Sequence, residues 1–221
     1  CPNSKKAILR SCGAGIAAAD DLIKKNERVF CAIRPPGHHA ETTKAMGFCF
    51  INNIAVTAKY LQNKYKVNKI AIIDFDVHHG NGTQEIFYND ETVLYASSHE
   101  FPLFPGTGSE QETGVGNIFN APLKTGMKGK EFLKILDQKI LRPIDKFKPE
   151  IILISAGFDA HARDPLANIK LESEDFYQIT KQIVDLANIH SKGRVISFLE
   201  GGYDLQALSE SIKQHLLALK N

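Results

Sequence analysis

The sequence predicts an α/β fold in three layers, with a mostly parallel central sheet flanked by helices. Three observations predict it. Short apolar, β-branched runs alternate with longer amphipathic stretches along the 221 residues. Several of those runs are apolar on both faces, as strands covered on both sides must be. Helix-length segments separate them, as right-handed crossovers between parallel strands require. A hydrophobic fraction of 43% with 24% charged residues is globular composition and excludes a disordered chain.

In chain order, the pattern gives a helix over 5–25, a strand over 29–33 and a helix over 46–63. Strands over 69–75 and 93–97 follow, then a Gly- and Pro-rich loop over 101–116. A loop that long in a compact domain is often functional. A helix over 130–146, a strand over 150–155, a helix over 173–191, a strand over 194–199 and a helix over 204–219 complete the chain. Ser173, with Glu174 and Asp175 in the first turn, marks a helix start, because carboxylates favour the positive end of the helix dipole. No repeat or linker interrupts the pattern, so residues 1–221 read as a single domain.

Charge and cysteine usage narrow the function classes. Lys plus Arg is 27 and Asp plus Glu is 25, a net charge of +2 that forces no polyanion partner, and no direct nucleic-acid binding is expected. No apolar stretch approaches the roughly 18–20 residues that span a bilayer, and no signal-peptide pattern is present, so neither membrane insertion nor export is expected. Cys1, Cys12, Cys31 and Cys49 form no C-x-x-C pair, which argues against a structural zinc knuckle. Reduced thiols in a cytoplasmic protein are the expectation.

In an open α/β sheet, ligands bind beyond the carboxyl ends of the strands. After strand 29–33 comes Arg34-Pro35-Pro36-Gly37-His38-His39. After 69–75 comes Asp76-Val77-His78-His79-Gly80-Asn81-Gly82, after 150–155 comes Ala156-Gly157-Phe158-Asp159, and after 194–199 comes Glu200-Gly201-Gly202-Tyr203. Five of the eight histidines lie in or beside these segments. Residues i and i+2 of an extended chain point to the same side, so Asp76 and His78 converge on one point, as a divalent metal requires. Asp159, at another strand end, is the best third ligand. Two carboxylates and one imidazole leave a position open, the arrangement of a catalytic metal site. His38 and His39 follow a stiff turn and diverge, which suits a pair of acid–base groups better than two ligands of one metal.

Six segments together resemble the zinc-dependent histone deacetylase family. They are Arg34-Pro35-Pro36-Gly37-His38-His39-Ala40, Gly47-Phe48-Cys49-Phe50-Ile51-Asn52-Asn53, Asp74-Phe75-Asp76-Val77-His78-His79-Gly80-Asn81-Gly82-Thr83, Phe104-Pro105-Gly106-Thr107-Gly108, Ser155-Ala156-Gly157-Phe158-Asp159-Ala160 and Leu199-Glu200-Gly201-Gly202-Tyr203. They occur in the family's order. Asn81 after His-His-Gly and Glu200 before Gly-Gly-Tyr resemble the class II and bacterial branch.

The resemblance implies an arginase/deacetylase-like fold and one zinc ion held by Asp76, His78 and Asp159. It implies His38, His39 and Tyr203 as catalytic residues, with His39 expected as general base and Tyr203 as hydrogen-bond donor to the developing oxyanion. Asp74 and Asn81 match the groups that orient His38 and His39. A neutral amide does not stabilise imidazolium as a carboxylate does, so His39 is expected to be less basic than His38. Gly47, Phe48, Phe104 and Leu166 match positions lining the family's acyl-lysine tunnel. Asp74, Asp76, His78 and Ser97 match ligands of a monovalent cation, making potassium a second expected ion. The implied substrate is an acetylated lysine peptide or protein.

An acetylated polyamine or other small amine is the alternative, with Glu100, Glu110 and Glu112 as candidates for an acidic rim. An inactive fragment or binding module is a further reading. An arginase-like dimetal site would need a carboxylate at Gly80. The family carries an N-terminal strand before the Arg-Pro-Pro-Gly-His-His segment that is not recognised here, so the chain is expected to be N-terminally truncated relative to the family. An uncovered sheet edge would follow, with homo-oligomerisation as one way to cover it.

Overall fold

The computed structural model describes residues 2–221. Helix α1 (Ser4–Lys25) leads into β1 (Val29–Cys31), α2 (Asn53–Tyr65), β2 (Ile70–Asp74), α3 (Asn81–Phe87), β3 (Val93–Glu100) and β4 (Ile118–Leu123). Helix α4 (Gly129–Ile135), a π-helical turn (Leu136–Leu141) and α5 (Arg142–Phe147) follow. Strand β5 (Ile151–Ala156), α6 (Ser173–His190), β6 (Val195–Leu199) and α7 (Leu205–Lys220) complete the chain.

The six strands form one sheet in the order β1-β6-β5-β2-β3-β4, and every pairing is parallel. All strand carboxyl ends therefore lie along one edge. The two-residue side-chain period divides each inner strand between two cores. Ile70 and Ile72 of β2, Ile151 and Leu153 of β5, and Ile196 and Phe198 of β6 pack with Leu22 of α1 and Ile54 and Leu61 of α2. The alternate residues Ala71, Ile73, Ile152, Ile154 and Val195 pack on the other face with Phe132, Leu136, Ile140, Phe176, Ile183 and Leu219. These are the three layers. Ile72 is fully buried, a side chain whose removal from water contributes about 2–3 kcal/mol.

Caps fix several helix ends. Asn52 Oδ1 accepts from the Ala55 amide at 3.0 Å to start α2, and the Asp204 carboxylate accepts from Ala207 at 2.7 Å to start α7. At α6 the Asp175 carboxylate reaches back to the Glu172 amide at 2.8 Å. Helix α1 stops at Asn26, whose left-handed backbone (φ 56°) lets its N–H bond Leu22 O.

Several elements depart from the sequence expectation. The helix expected over 46–63 begins only at Asn53. Gly47 and Phe48 before it have φ of 55° and 65°, the left-handed region, which a right-handed helix cannot contain. The helix expected over 130–146 is interrupted by the π-helical turn, and Pro143, which has no amide donor, sits just beyond it. The first strand closes at Cys31, where the Ile33 amide turns back to Cys31 O. Helix α3 and strand β4 were not expected. Strand β4 includes Pro122, which a strand at the sheet edge tolerates. No helix among the described residues is long and apolar enough to cross a membrane.

Candidate active site

Four neighbouring strands, β1, β6, β5 and β2, deliver their carboxyl ends to one place. Asp74 ends β2, and Asp76 and His78 follow it; Asp159 lies three residues past β5. The donor atoms of Asp76, His78 and Asp159 lie within 4.8 Å of one another, and all three residues are buried. Among the described residues, this is the one cluster of three such groups that converges so closely.

The backbone holds both carboxylates in place. Asp76 accepts from the amides of His78 at 2.9 Å and Gly201 at 2.8 Å. Asp159 accepts from the amide of Val77 at 2.9 Å. Their remaining reach is toward His78 Nδ1, which stands 3.2 Å from Asp76 Oδ1 and 3.0 Å from Asp159 Oδ2. A Cβ at Gly201 would fall 2.1 Å from Asp159 Oδ2, so only glycine lets that backbone approach the pair.

No lysine or arginine among the described residues pairs with either carboxylate. Two buried carboxylates and one imidazole nitrogen, without a resident cationic side chain, are a donor set that fits a divalent metal. The same field acts on protons. Burial opposes a charge on His78, but its contacts with Asp159 and Asp76 outweigh that and raise it to about 11. Burial, and then the charge of Asp76, push the Asp159 carboxyl upward. A metal entering here displaces a proton from the cluster.

The two adjacent histidines sit in different fields. His38 Nδ1 is 3.0 Å from Asp74 Oδ2, and its Nε2 is 3.9 Å from Asp76 Oδ1. Burial disfavours its cation, yet the charges of Asp74, Asp76 and Glu200 prevail and raise it to about 10. His39 Nδ1 is 2.8 Å from Asn81 Oδ1. The Asn81 amide nitrogen donates to Glu41 Oε1 at 2.6 Å, and a carboxylate can only accept, so Asn81 presents its oxygen to His39. That fixes the proton on His39 Nδ1 and leaves Nε2 as an acceptor. Burial first, and then the neighbouring His38, lower His39 to about 3. Burial and His38, rather than the neutral partner, are the main causes of that lowering.

Above His39 and His78 opens a cavity of about 310 Å³, lined by those two residues with Gly47, Phe48, Leu103, Phe104, Leu166 and Tyr203. The Phe104 ring stands edge-on to His39 at 5.1 Å. Gly47 packs so closely that a Cβ there would lie 2.2 Å from the His39 ring. Burial, and then the charges of Asp76 and Asp159, raise the Tyr203 phenol, so it keeps its proton and can donate it.

Residues 1–219 match the histone deacetylase domain family. The chain belongs to the histone deacetylase family. It is 42% identical over 214 residues to histone deacetylase 10, chloroplastic, of Oryza sativa, covering 92% of this chain and 48% of that protein. It is 42% identical over 205 residues to a probable deacetylase of Archaeoglobus fulgidus, covering 91% of this chain and 57% of that protein. The crystal structure of the HDA15 HD domain superposes with a TM-score of 0.91 at 36% identity, covering 97% of this chain and 64% of that one. The chain thus spans about half the length of these two relatives.

Around this site, several supporting residues carry no pattern legible in the sequence. Glu200 was read only as a marker of the class II and bacterial branch. Its carboxylate accepts from the amides of Gly37 at 2.7 Å and His38 at 3.2 Å and from Ser155 Oγ at 3.1 Å, so it anchors the histidine loop to β5. Burial raises its carboxyl to about 7, with the charge of His38 pulling the other way. Asp164 accepts from the amides of Tyr203 and Leu166, at 2.8 and 2.9 Å, and so couples the tyrosine to the cavity wall. Leu103 completes the wall. A carboxylate at a strand end before Gly-Gly was the one available signal for Glu200; nothing local marks Asp164 or Leu103.

The remaining candidates fall as follows. Ser97 pairs in register with Asp74, and its hydroxyl is 2.9 Å from His99 Nδ1. His79 is buried, and burial keeps it neutral by lowering it well below the usual range. His161, His190 and His215 are paired elsewhere. None of the three glutamates considered for an acidic rim lines the cavity. Glu100 is 2% exposed and accepts from Thr125 and Asn168, Glu110 pairs with Lys139, and Glu112 caps loop amides.

Proposed function

We propose that this chain is a zinc-dependent amidohydrolase that removes acetyl groups from the ε-amine of lysine in peptides or proteins. One observation carries the reading: the Asp76–His78–Asp159 cluster lies at the foot of an apolar cavity, with His39 and Tyr203 on its lining. Phe48 and Phe104 offer flat apolar faces to an alkyl stem, and the cluster below meets the amide.

Zinc held by Asp76, His78 and Asp159 would supply Lewis acidity, polarising the amide carbonyl and making water a better nucleophile at neutral pH. His39 Nε2, held free by the Asn81 hydrogen bond, accepts the proton of the attacking water. Tyr203 donates a hydrogen bond to the oxygen on which negative charge develops. The proton taken by His39 then serves the departing amine, which leaves as the C–N bond breaks. His38, hydrogen-bonded to Asp74, supports the reacting centre electrostatically and in proton transfer.

Potassium is proposed at Asp74, Asp76, His78 and Ser97. His99 Nε2 lies 2.9 Å from Gly108 O, a pure acceptor, so Nε2 carries the proton and Nδ1 accepts from Ser97. Ser97 therefore turns its lone pairs away from His99, as a cation ligand must.

The small-amine alternative keeps the same site; an acidic rim would favour it, and the three glutamates that were candidates for such a rim are engaged elsewhere. Turnover on an acetyl-lysine peptide and on acetylspermidine discriminates the two. A clear preference for the peptide is the expected result; a preference for acetylspermidine would replace lysine by a polyamine as the substrate.

A further inference from the structure

The loop over 101–116 carries Leu103 and Phe104 into the cavity lining but has no helix or strand of its own. Something else must hold it, and a chain of donors and acceptors behind the wall does so. Glu112 Oε1 accepts from the amides of Gly108 at 3.0 Å and Ser109 at 2.9 Å. Its Oε2 accepts from Gln84 Nε2, on α3, at 2.5 Å.

A carboxylate only accepts, so Glu112 dictates which way the Gln84 amide faces. Gln84 Oε1 then accepts from His79 Nε2 at 3.0 Å and from Asn120 Nδ2 at 2.7 Å. With its proton on Nε2, His79 offers Nδ1 to the hydroxyl of Thr107 at 2.8 Å, which closes the circuit back onto the loop. His79, Gln84 and Asn120 are all buried. A Cβ at Gly108 would fall 2.4 Å from the His99 ring and 2.7 Å from the His79 ring, so the loop backbone lies directly on these two imidazoles. His79 is also the chain neighbour of His78, which ties the wall to the metal cluster.

We propose that Glu112 is a positioning residue for acyl-group selectivity. Acting through Gln84 and His79, and directly on the backbone at 108–109, it holds the loop that presents Phe104 to the alkyl stem and Leu103 to the acyl chain. The proposal rests on the deacylase reading for its substrate. Its geometry stands apart from that reading, because the circuit makes a prediction about His79 alone.

The test uses the zinc-loaded full chain and acetyl-lysine and butyryl-lysine versions of one peptide. Glu112→Gln places an amide nitrogen where Gln84 Nε2 donates, which forces Gln84 to turn and His79 to exchange tautomer. The preference between the two acyl groups should change about ten-fold, the scale of one or two methylenes in an apolar pocket, through KM more than kcat. Combining Glu112→Gln with Gln84→Glu moves the carboxylate to the other end of the pair: the bond between 84 and 112 re-forms in the opposite direction, His79 Nε2 and Asn120 Nδ2 again meet an acceptor, and only the 3.2 Å bond from the Gly108 amide to the second oxygen is given up, so selectivity should return. An unchanged preference in Glu112→Gln, or a double variant as altered as the single one, overturns the proposal. The second readout is the tautomer of His79, seen in nitrogen-15 spectra of histidine-labelled protein. Wild-type protein should carry the proton on Nε2, Glu112→Gln should move it, and the double variant should restore it. If wild-type protein hydrolyses neither peptide, the deacylase reading fails and the spectra decide the positioning circuit. A proton on Nδ1 in wild-type protein, or a spectrum unmoved by Glu112→Gln, would sink it.

Discussion

Asp76 and Asp159 follow strands in the middle of the sheet, whereas Phe104 and Leu166 stand on irregular segments restrained by side chains both near in sequence and tens of residues away. The Asp76–His78–Asp159 cluster inherits its geometry from the sheet: β2 pairs with β5, and Asp74 lies in register with Ser155 on one side and Ser97 on the other. The wall inherits its geometry from buried side chains. Glu112 and His79 hold the Phe104 loop, while Asp164 and Glu100 hold the Leu166 segment through the amides of Leu166 and Asn168. In the proposed reading, chemistry sits on the sheet and selectivity on the loops beside it.

Damage to the two regions should look different. The largest effect is expected in the metal cluster. Asp159→Asn removes one carboxylate of three ligands, so zinc content after dialysis should fall well below one per chain and activity should vanish; a fully zinc-loaded, active Asp159→Asn protein would remove Asp159 from the ligand set. Next comes Tyr203→Phe. It should lower kcat by about 10²–10³-fold, the worth of one oxyanion donor, with zinc retained. Activity within a few-fold of wild type would remove the oxyanion role. Phe104→Ala should act mainly on KM, raising it roughly ten-fold for the loss of apolar contact worth 1–3 kcal/mol, with kcat little changed. A fall confined to kcat would mean that Phe104 serves the chemistry rather than the alkyl stem.

The smallest effect is a displacement of the pH profile. His39 must be neutral to accept a proton, and it is lowered to about 3 by burial and by His38. Asn81→Asp puts a negative charge beside the ring and favours the imidazolium, so the pKa of His39 rises. At a given acidic pH less of the neutral base is then present, and the acid limb of kcat/KM should move to higher pH. An unmoved limb would show that His39 is not the group whose protonation stops the reaction.

The same contrast explains what the sequence made legible. Asp76 and His78 could be read because alternation in extended chain is a local rule, and Asp159 and Tyr203 because they follow apolar runs. The six motifs, four of them at strand ends, supplied the rest of the site. Strand β4 escaped because Asn120 and Pro122 interrupt its apolar run, and α3 because seven residues give too little periodicity. Glu112 and Asp164 escaped for another reason. Gln84 and Glu112 are 28 positions apart, and Asp164 and Tyr203 are 39 apart. Partnerships of that span leave no spacing pattern in a single sequence, so an ordinary loop glutamate and a restraint on the cavity wall look alike. Glu100, a candidate for an acidic rim, is buried, and its partners Thr125 and Asn168 are likewise far off in sequence.

The proposed chemistry requires both the cluster and a metal, and one experiment addresses them together. The purified 221-residue chain is assayed on an acetyl-lysine peptide as isolated, after exhaustive chelation, and after one equivalent of zinc is restored. Deacetylation that disappears on chelation and returns with about one zinc per chain is the predicted result. Hydrolysis that persists in chelated, zinc-free protein would contradict it.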